Sequence, residues 1–144
     1  MKKTFLVKVC YEKQTGEDNP GQVTETYLVE AETPSAAEKA VIDEIKPFVF
    51  GELEVLSISK RNFWDRVRRE NGENFYEAKV ELITIDGDKE TRKAVSVLIQ
   101  DNTLEDAVRE LHEFMKSNDC EITQVKKSAI IDILEEETNN ENAE

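Results

Sequence analysis

Glycine and proline are scarce in this 144-residue chain, at five and three residues. So few glycines leave little material for a phosphate-cradling loop, and no glycine-rich nucleotide motif is present. There is one histidine, His112, so Ser-His and Cys-His nucleophile pairs are out of reach except through a site shared between chains. The two cysteines, Cys10 and Cys120, have neither metal-ligand nor redox spacing and read as free thiols in or beside strands. No CxxC, HExxH or GxSxG pattern occurs. No apolar run approaches the length that spans a bilayer, which argues against a membrane protein. The opening Met-Lys-Lys-Thr-Phe-Leu-Val imitates a secretion signal, but its apolar stretch ends at Lys8, too early for a signal core. A cytoplasmic setting follows as the expectation. Positive charge is also short: 19 Lys and Arg stand against 32 Asp and Glu, a net charge of -13. Such a field repels phosphate, which argues against broad adhesion to DNA or anionic lipid while leaving room for a local basic groove.

What the chain does have is a core and a repeat. Hydrophobic residues make up 38%, enough to bury a real interior, whereas half this length would be marginal alone, so two halves should share a core. Tyr27–Lys46 and Val97–Lys116 align without a gap, 70 positions apart: Leu28 with Leu98, Thr33 with Thr103, Ala37 with Ala107, Lys46 with Lys116. Upstream, Phe5, Val7, Val9 and Tyr11 correspond to Tyr76, Ala78, Val80 and Leu82. Downstream, Glu54–Ile58 corresponds to Glu121–Val125, and Asp65 falls on Asp132. Three matching blocks in one order indicate a duplication.

Each copy reads as β-β-α-β. The alternation Phe5, Val7, Val9, Tyr11 predicts a half-buried strand, and Thr24–Ala31 predicts its return after a polar turn at Glu17–Gly21. Thr33 is an N-cap followed by Pro34 at the first helical position, with Ala37, Ala40, Val41 and Ile45 on one face. Pro47 stops that helix, and Glu52–Ser59 is a third strand. In the second copy Phe75–Ile85 and Ala94–Gln100 flank the turn Asp86-Gly87-Asp88. Thr103 caps a helix with Leu104, Ala107, Leu111, Phe114 and Met115 inward, and Glu121–Lys126 closes the sheet. Short apolar arms follow, Phe63–Val67 and Ala129–Leu134, each suited to packing across the other copy. The expected fold is α+β: two tandem ββαβ repeats (1–70 and 71–134) forming one pseudo-symmetric antiparallel-sheet domain. Residues 135–144, EEETNNENAE, lack apolar bulk and read as a disordered acidic tail.

Catalytic signals are weak. His112, at the edge of the second helix's apolar face, reads as a partly buried structural histidine. Glu77-Ala78-Lys79 has the E-x-K spacing of some metal-dependent nucleases but no matching upstream Asp, so an outward charged pair on a strand is the simpler reading. Asp86-Gly87-Asp88 with Glu90 lacks a full calcium-loop spacing and reads as a hairpin turn. No cofactor is implied, and the chain is read as a non-enzyme.

The most informative stretch is Lys60-Arg61-Asn62-Phe63-Trp64-Asp65-Arg66-Val67-Arg68-Arg69. Five basic residues surround the only tryptophan. Lys60, Arg61, Arg66, Arg68 and Arg69 suit phosphates, and Phe63 and Trp64 offer stacking platforms for unpaired bases. The competing structural reading makes Phe63 and Trp64 packed anchors, since they align with Ile130 and Ile131, with the arginines bridging to nearby acids. The acidic tail allows a second partner class, a basic protein.

TETYLVEA at Thr24–Ala31, the run from Pro47 through Gly51 to Lys60, FYEAKVELITID and the alternating AIIDIL together resemble an uncharacterised domain family of gut Bacteroidetes, their mobile elements and phages. The resemblance spans Phe5 to Leu134. It implies a small phage or mobile-element accessory protein and carries no activity or site residue over. The reading is a non-enzymatic protein binding single-stranded DNA in replication or recombination. The alternative is an acidic adaptor or inhibitor of a basic partner protein.

Overall fold

The computed structural model describes residues 2–13 and 21–136. The architecture is α+β. Among the described residues two α-helices and eight strands form two four-stranded mixed sheets. The chain divides into two compact units. The first is Met1–Asn62 joined by the segment from Ile130 onward, and the second is Phe63–Ala129.

In the first unit β1 (Lys3–Lys13), β2 (Gly21–Ala31), α1 (Pro34–Ile45) and β3 (Val49–Lys60) follow in order. The strands are arranged β3-β1-β2-β8, where β8 is the arm Ile130–Glu135. The second unit has β5 (Asn74–Asp86), β6 (Lys89–Asp101), α2 (Leu104–Met115) and β7 (Cys120–Lys127), in the order β7-β5-β6-β4 with β4 at Asp65–Val67. Both sheets are antiparallel except at the arm, which pairs in parallel. The arm following β3 belongs to the second unit, and the arm following β7 belongs to the first. Repeat boundary and unit boundary therefore differ, because the arms are exchanged.

Equivalent residues hold equivalent register positions. Val9 opposes Val55 as Val80 opposes Ile122, each just after a bulge, between Lys8 and Val9 in one copy and between Lys79 and Val80 in the other. Asp132 opposes Tyr27 as Asp65 opposes Val97. The helices match as well. The hydroxyls of Thr33 and Thr103 accept from the amides of Ala36 and Asp106, both at 3.1 Å, which satisfies one orphan donor of each first turn. Pro47 ends α1 within a single 3-10 turn, Lys46–Phe48. At the tip of the second hairpin Gly87 has φ +65°, the left-handed conformation a two-residue turn demands.

The core of each unit is one helical stripe laid on alternating strand residues. Ala37, Val41 and Ile45 pack with Phe5, Val7, Val9, Tyr11, Tyr27 and Val29. Ala107, Leu111 and Met115 pack with Tyr76, Ala78, Val80, Val97 and Ile99. The stripe is narrower than the sequence suggests. Leu104 and Phe114 are 45% and 37% exposed rather than inward. Helical side chains tilt toward the N-terminus, so Leu104 at the first position projects beyond the sheet. Phe114 lies about 60° round the helix from Leu111. His112 points outward and is exposed, not partly buried, because it stands about 100° from Leu111.

The expected turn at Glu17–Gly21 lies outside the described residues up to Pro20, and Gly21 begins β2. The expected tail starts too early. Glu135 closes β8, and the Glu136 amide donates to the Glu30 carbonyl at 2.8 Å while its carboxylate accepts from the Glu32 amide. Edge pairing with β2 supplies partners that composition does not reveal. The remaining tail, 137–144, lies outside the described residues.

Truncating the chain before Ile130 should damage the first unit, although the deleted residues follow the last strand of the second. Amide exchange of Tyr27–Glu30, protected in the full chain, is expected to accelerate strongly, while Ala78 and Val80 stay protected.

Candidate functional site

The basic–aromatic stretch is divided between the units: Lys60 and Arg61 lie in the first, Phe63 to Arg69 in the second. Lys60 is exposed at the end of β3, and the Arg61 amide donates to the Thr4 carbonyl, extending the β1–β3 ladder. Trp64 just precedes β4, with its amide donating to the Ser96 carbonyl at 2.7 Å, and remains 42% exposed. Strand alternation puts Arg66 on the face of β4 opposite Val67, which packs on the core. Phe63 is half-buried, and neither it nor Arg61 nor Arg66 is without a partner.

The last two arginines are fixed by β6. Arg68 Nε donates to the Gln100 side-chain oxygen at 3.1 Å, and Arg69 Nη1 to Asp101 Oδ1 at 2.8 Å. Asp101 is fully buried, also accepts from the Asn102 amide at 2.8 Å, and its Oδ2 meets no donor among the described residues. Gly72 lets the chain pass: a Cβ there would lie 2.9 Å from the Asp101 amide nitrogen. In the first copy the position of Asp101 is held by Ala31, also fully buried. The ion pair is thus an addition made in one copy. It anchors the segment after β4 and leaves Arg68 and Arg69 exposed at its end.

A second feature was not visible in the sequence. Between α1 and β8 of the first unit lies a groove of about 650 Å³. Its floor is Ala36, Ala40 and Leu134, which also pack against the core, and its rim carries Asp43, Glu44, Glu135 and Glu136. Lys39 is the cation of the lining and is paired with Asp43 at 2.8 Å. Ala36 and Ala40 looked like ordinary helix residues. Small side chains facing an arm were the available signal.

The first unit also holds a polar cluster with no equivalent in the second. Glu25 Oε1 accepts from the Tyr11 and Tyr27 hydroxyls at 2.8 and 2.9 Å, and Lys13 lies 3.4 Å from Oε2. The matching positions in the second copy are Leu82, Val95 and Val97. Burial, the bond to Glu25 and the charge of Glu25 push both phenols well above their ordinary pKa. Three donors converge on the carboxylate, two of them buried tyrosines, which marks a structural network. Glu77 and Lys79 lie on β5, opposite Leu98 and Ser96, and Asp86 and Lys89 close a hairpin. Among the described residues no three His, Cys, Asp or Glu side chains come together to hold a metal ion. No described helix is long and apolar enough to cross a membrane.

Two outcomes follow. Because the folded state raises the phenol pKa values, the stability from Tyr11 and Tyr27 is complete below the unfolded value of about 10 and is lost as pH climbs above it. In an alkaline titration phenolate absorbance from these two rings should appear only with unfolding. Separately, Arg69→Ala should cost about 1–3 kcal/mol by leaving a buried carboxylate without its cation. The double change with Asp101→Ala should cost less, because Ala31 already fills that site in the other copy. Denaturant unfolding of the three variants measures the difference.

No curated protein matches the chain. A domain-family description does, over residues 3–136, which takes in every described strand and both helices. The chain belongs to the family described as Domain of unknown function (DUF4494).

Proposed function

We propose that the chain is a non-enzymatic accessory protein that binds single-stranded nucleic acid through the arm of its second unit. Trp64 is the base-stacking platform, and Arg68 and Arg69 contact phosphate. The observation that carries this reading is the indole standing 42% exposed at the open edge of a sheet, where packed anchors would be covered. Arg68 and Arg69 each use one donor on β6, and a guanidinium has five, so both are held in place with donors to spare. Stacking of this kind tolerates any base, because every base has a π-face.

The ligand face is smaller than the seven residues suggested by the sequence. Arg61, Phe63 and Arg66 are engaged elsewhere, and Lys60 belongs to the other unit. The net charge of -13 falls mostly on the first unit, and the second unit, which carries this arm, holds the smaller share. The resemblance to proteins of phages and mobile elements supports replication or recombination in a host cytoplasm as the setting. A second reading, docking to a basic protein, is favoured by the carboxylate-rimmed groove of the first unit.

Titrating oligo-dT into the chain at low salt should quench the fluorescence of Trp64, with recovery as salt rises. Arg68→Glu should weaken binding about tenfold while leaving the indole as reporter. A flat titration, or one insensitive to that charge reversal, overturns the proposal.

A further inference from the structure

We infer that the groove between α1 and β8 is a docking site for an extended, basic segment of a partner protein, which adds to the first sheet as a fifth strand beside β8. This site lies in the first unit and does not depend on the role given to Trp64.

Among the described residues β8 is the terminal strand of its sheet, paired only with β2. The Glu136 amide donates to Glu30, so even-numbered amides of the arm turn toward β2. Beyond the register shift at Ile131, the amides of Ile133 and Glu135 turn outward, as strand geometry requires. Such an edge is a template for pairing with another chain, and proteins guard it. Here the guard is visible: Asp132 Oδ1 accepts from the Ile133 amide at 2.8 Å. Asp65 Oδ1 does the same for the Arg66 amide, also at 2.8 Å, at the equivalent place in the other copy. A carboxylate on a side chain is a removable cover. It closes the edge to casual pairing and can swing aside when a better-matched strand arrives.

The occupant follows from what differs between the copies. At the second arm the floor residues Ala36 and Ala40 are matched by the larger, charged Asp106 and Glu110. The rim residues Glu135 and Glu136 become Arg68 and Arg69. Only the first unit thus combines small floor residues with an acidic rim. A strand laid there places alternate side chains over Ala36, Ala40 and Leu134, which suits valine-sized apolar groups. The residues between them turn to the face of Glu135, which now holds Lys2 at 2.8 Å, while Glu44 and Glu136 line the helix-side rim, and both places suit lysine or arginine. Backbone bonds supply the affinity and the alternate pockets the selectivity.

The test uses the full chain and a labelled short peptide of alternating lysine and valine. Binding by anisotropy is expected at low salt, with new exchange protection at the amides of Ile133 and Glu135. Replacing the central valine by proline should abolish it, since proline has no amide to donate. Ala40→Glu, a residue the second copy carries at the matching position, should preserve folding and weaken the peptide roughly tenfold. Paired charge reversal, Glu135→Lys with Glu136→Lys, should do the same. Binding without protection of β8, or binding indifferent to proline and to these variants, overturns the inference. So does a peptide-free dimer that protects the same amides, which would assign the groove to a second copy of this chain.

Discussion

Three consecutive residues of β2, Tyr27, Leu28 and Val29, are buried, as are Val97, Leu98 and Ile99 of β6. Strand neighbours point to opposite faces, so at these triplets both faces of the strand are closed to water. Backbone groups at such a place must find protein partners, because an unmatched buried amide or carbonyl costs as much as a lost hydrogen bond. On one side β1 and β5 meet that demand. On the other the arms do, and their register falls on the same triplets: Asp132, Ile133 and Leu134 oppose Tyr27, Leu28 and Val29, while Asp65, Arg66 and Val67 oppose Val97, Leu98 and Ile99. Because each arm is supplied by the other repeat, neither copy closes its own sheet.

That requirement explains which features survived duplication and which drifted. The threonine caps, the one-per-turn helical stripe, the bulge after Lys8 and Lys79 and the edge-guarding aspartates are the same in both copies, since each answers a geometric need of the sheet or helix. Positions free of those needs diverged. Glu25 with its two tyrosines became Val95 with Leu82 and Val97, exchanging a hydrogen-bonded interior for an apolar one. Ala31 became Asp101, and the buried carboxylate required Arg69 to neutralise it. These exchanges come in compensating sets, as expected where removing one partner alone strands a buried polar group.

The sequence displayed the repeated frame well because its signals are local. Alternation over Phe5–Tyr11, a threonine three residues before the amide that donates to it and a proline at the first helical position need no tertiary knowledge. The triplets YLV and VLI, which break the alternation, were the legible hint that something covers β2 and β6. They do not say what, and the aligned pair Asp65 and Asp132 acquires its reason only when the outward amides are seen. The width of a helix's buried face was overread at Leu104 and Phe114, since periodicity gives direction but not how far the sheet extends beneath. The candidate site was legible as composition and illegible as geometry. Lysine, arginine and tryptophan in a row reveal nothing of where one compact unit stops and the next begins, and that boundary falls between Asn62 and Phe63. Partners distant in sequence, such as Gln100 and Asp101, were equally invisible.

The charge of the arms is the sharpest divergence between the copies. Arg66, Arg68 and Arg69 stand where Ile133, Glu135 and Glu136 stand in the other, so equivalent edges of one duplicated fold present opposite signs. Screening keeps the two edges distinct in a chain of net charge -13, since at physiological salt an exposed charge is felt over about 8 Å. Edge positions are also the cheapest to recharge. Val67 and Leu134 hold the arms to their cores, while Arg68 and Glu135 just beyond them are exposed. Two sheets of the same construction therefore carry rims of opposite sign over cores built on the same plan.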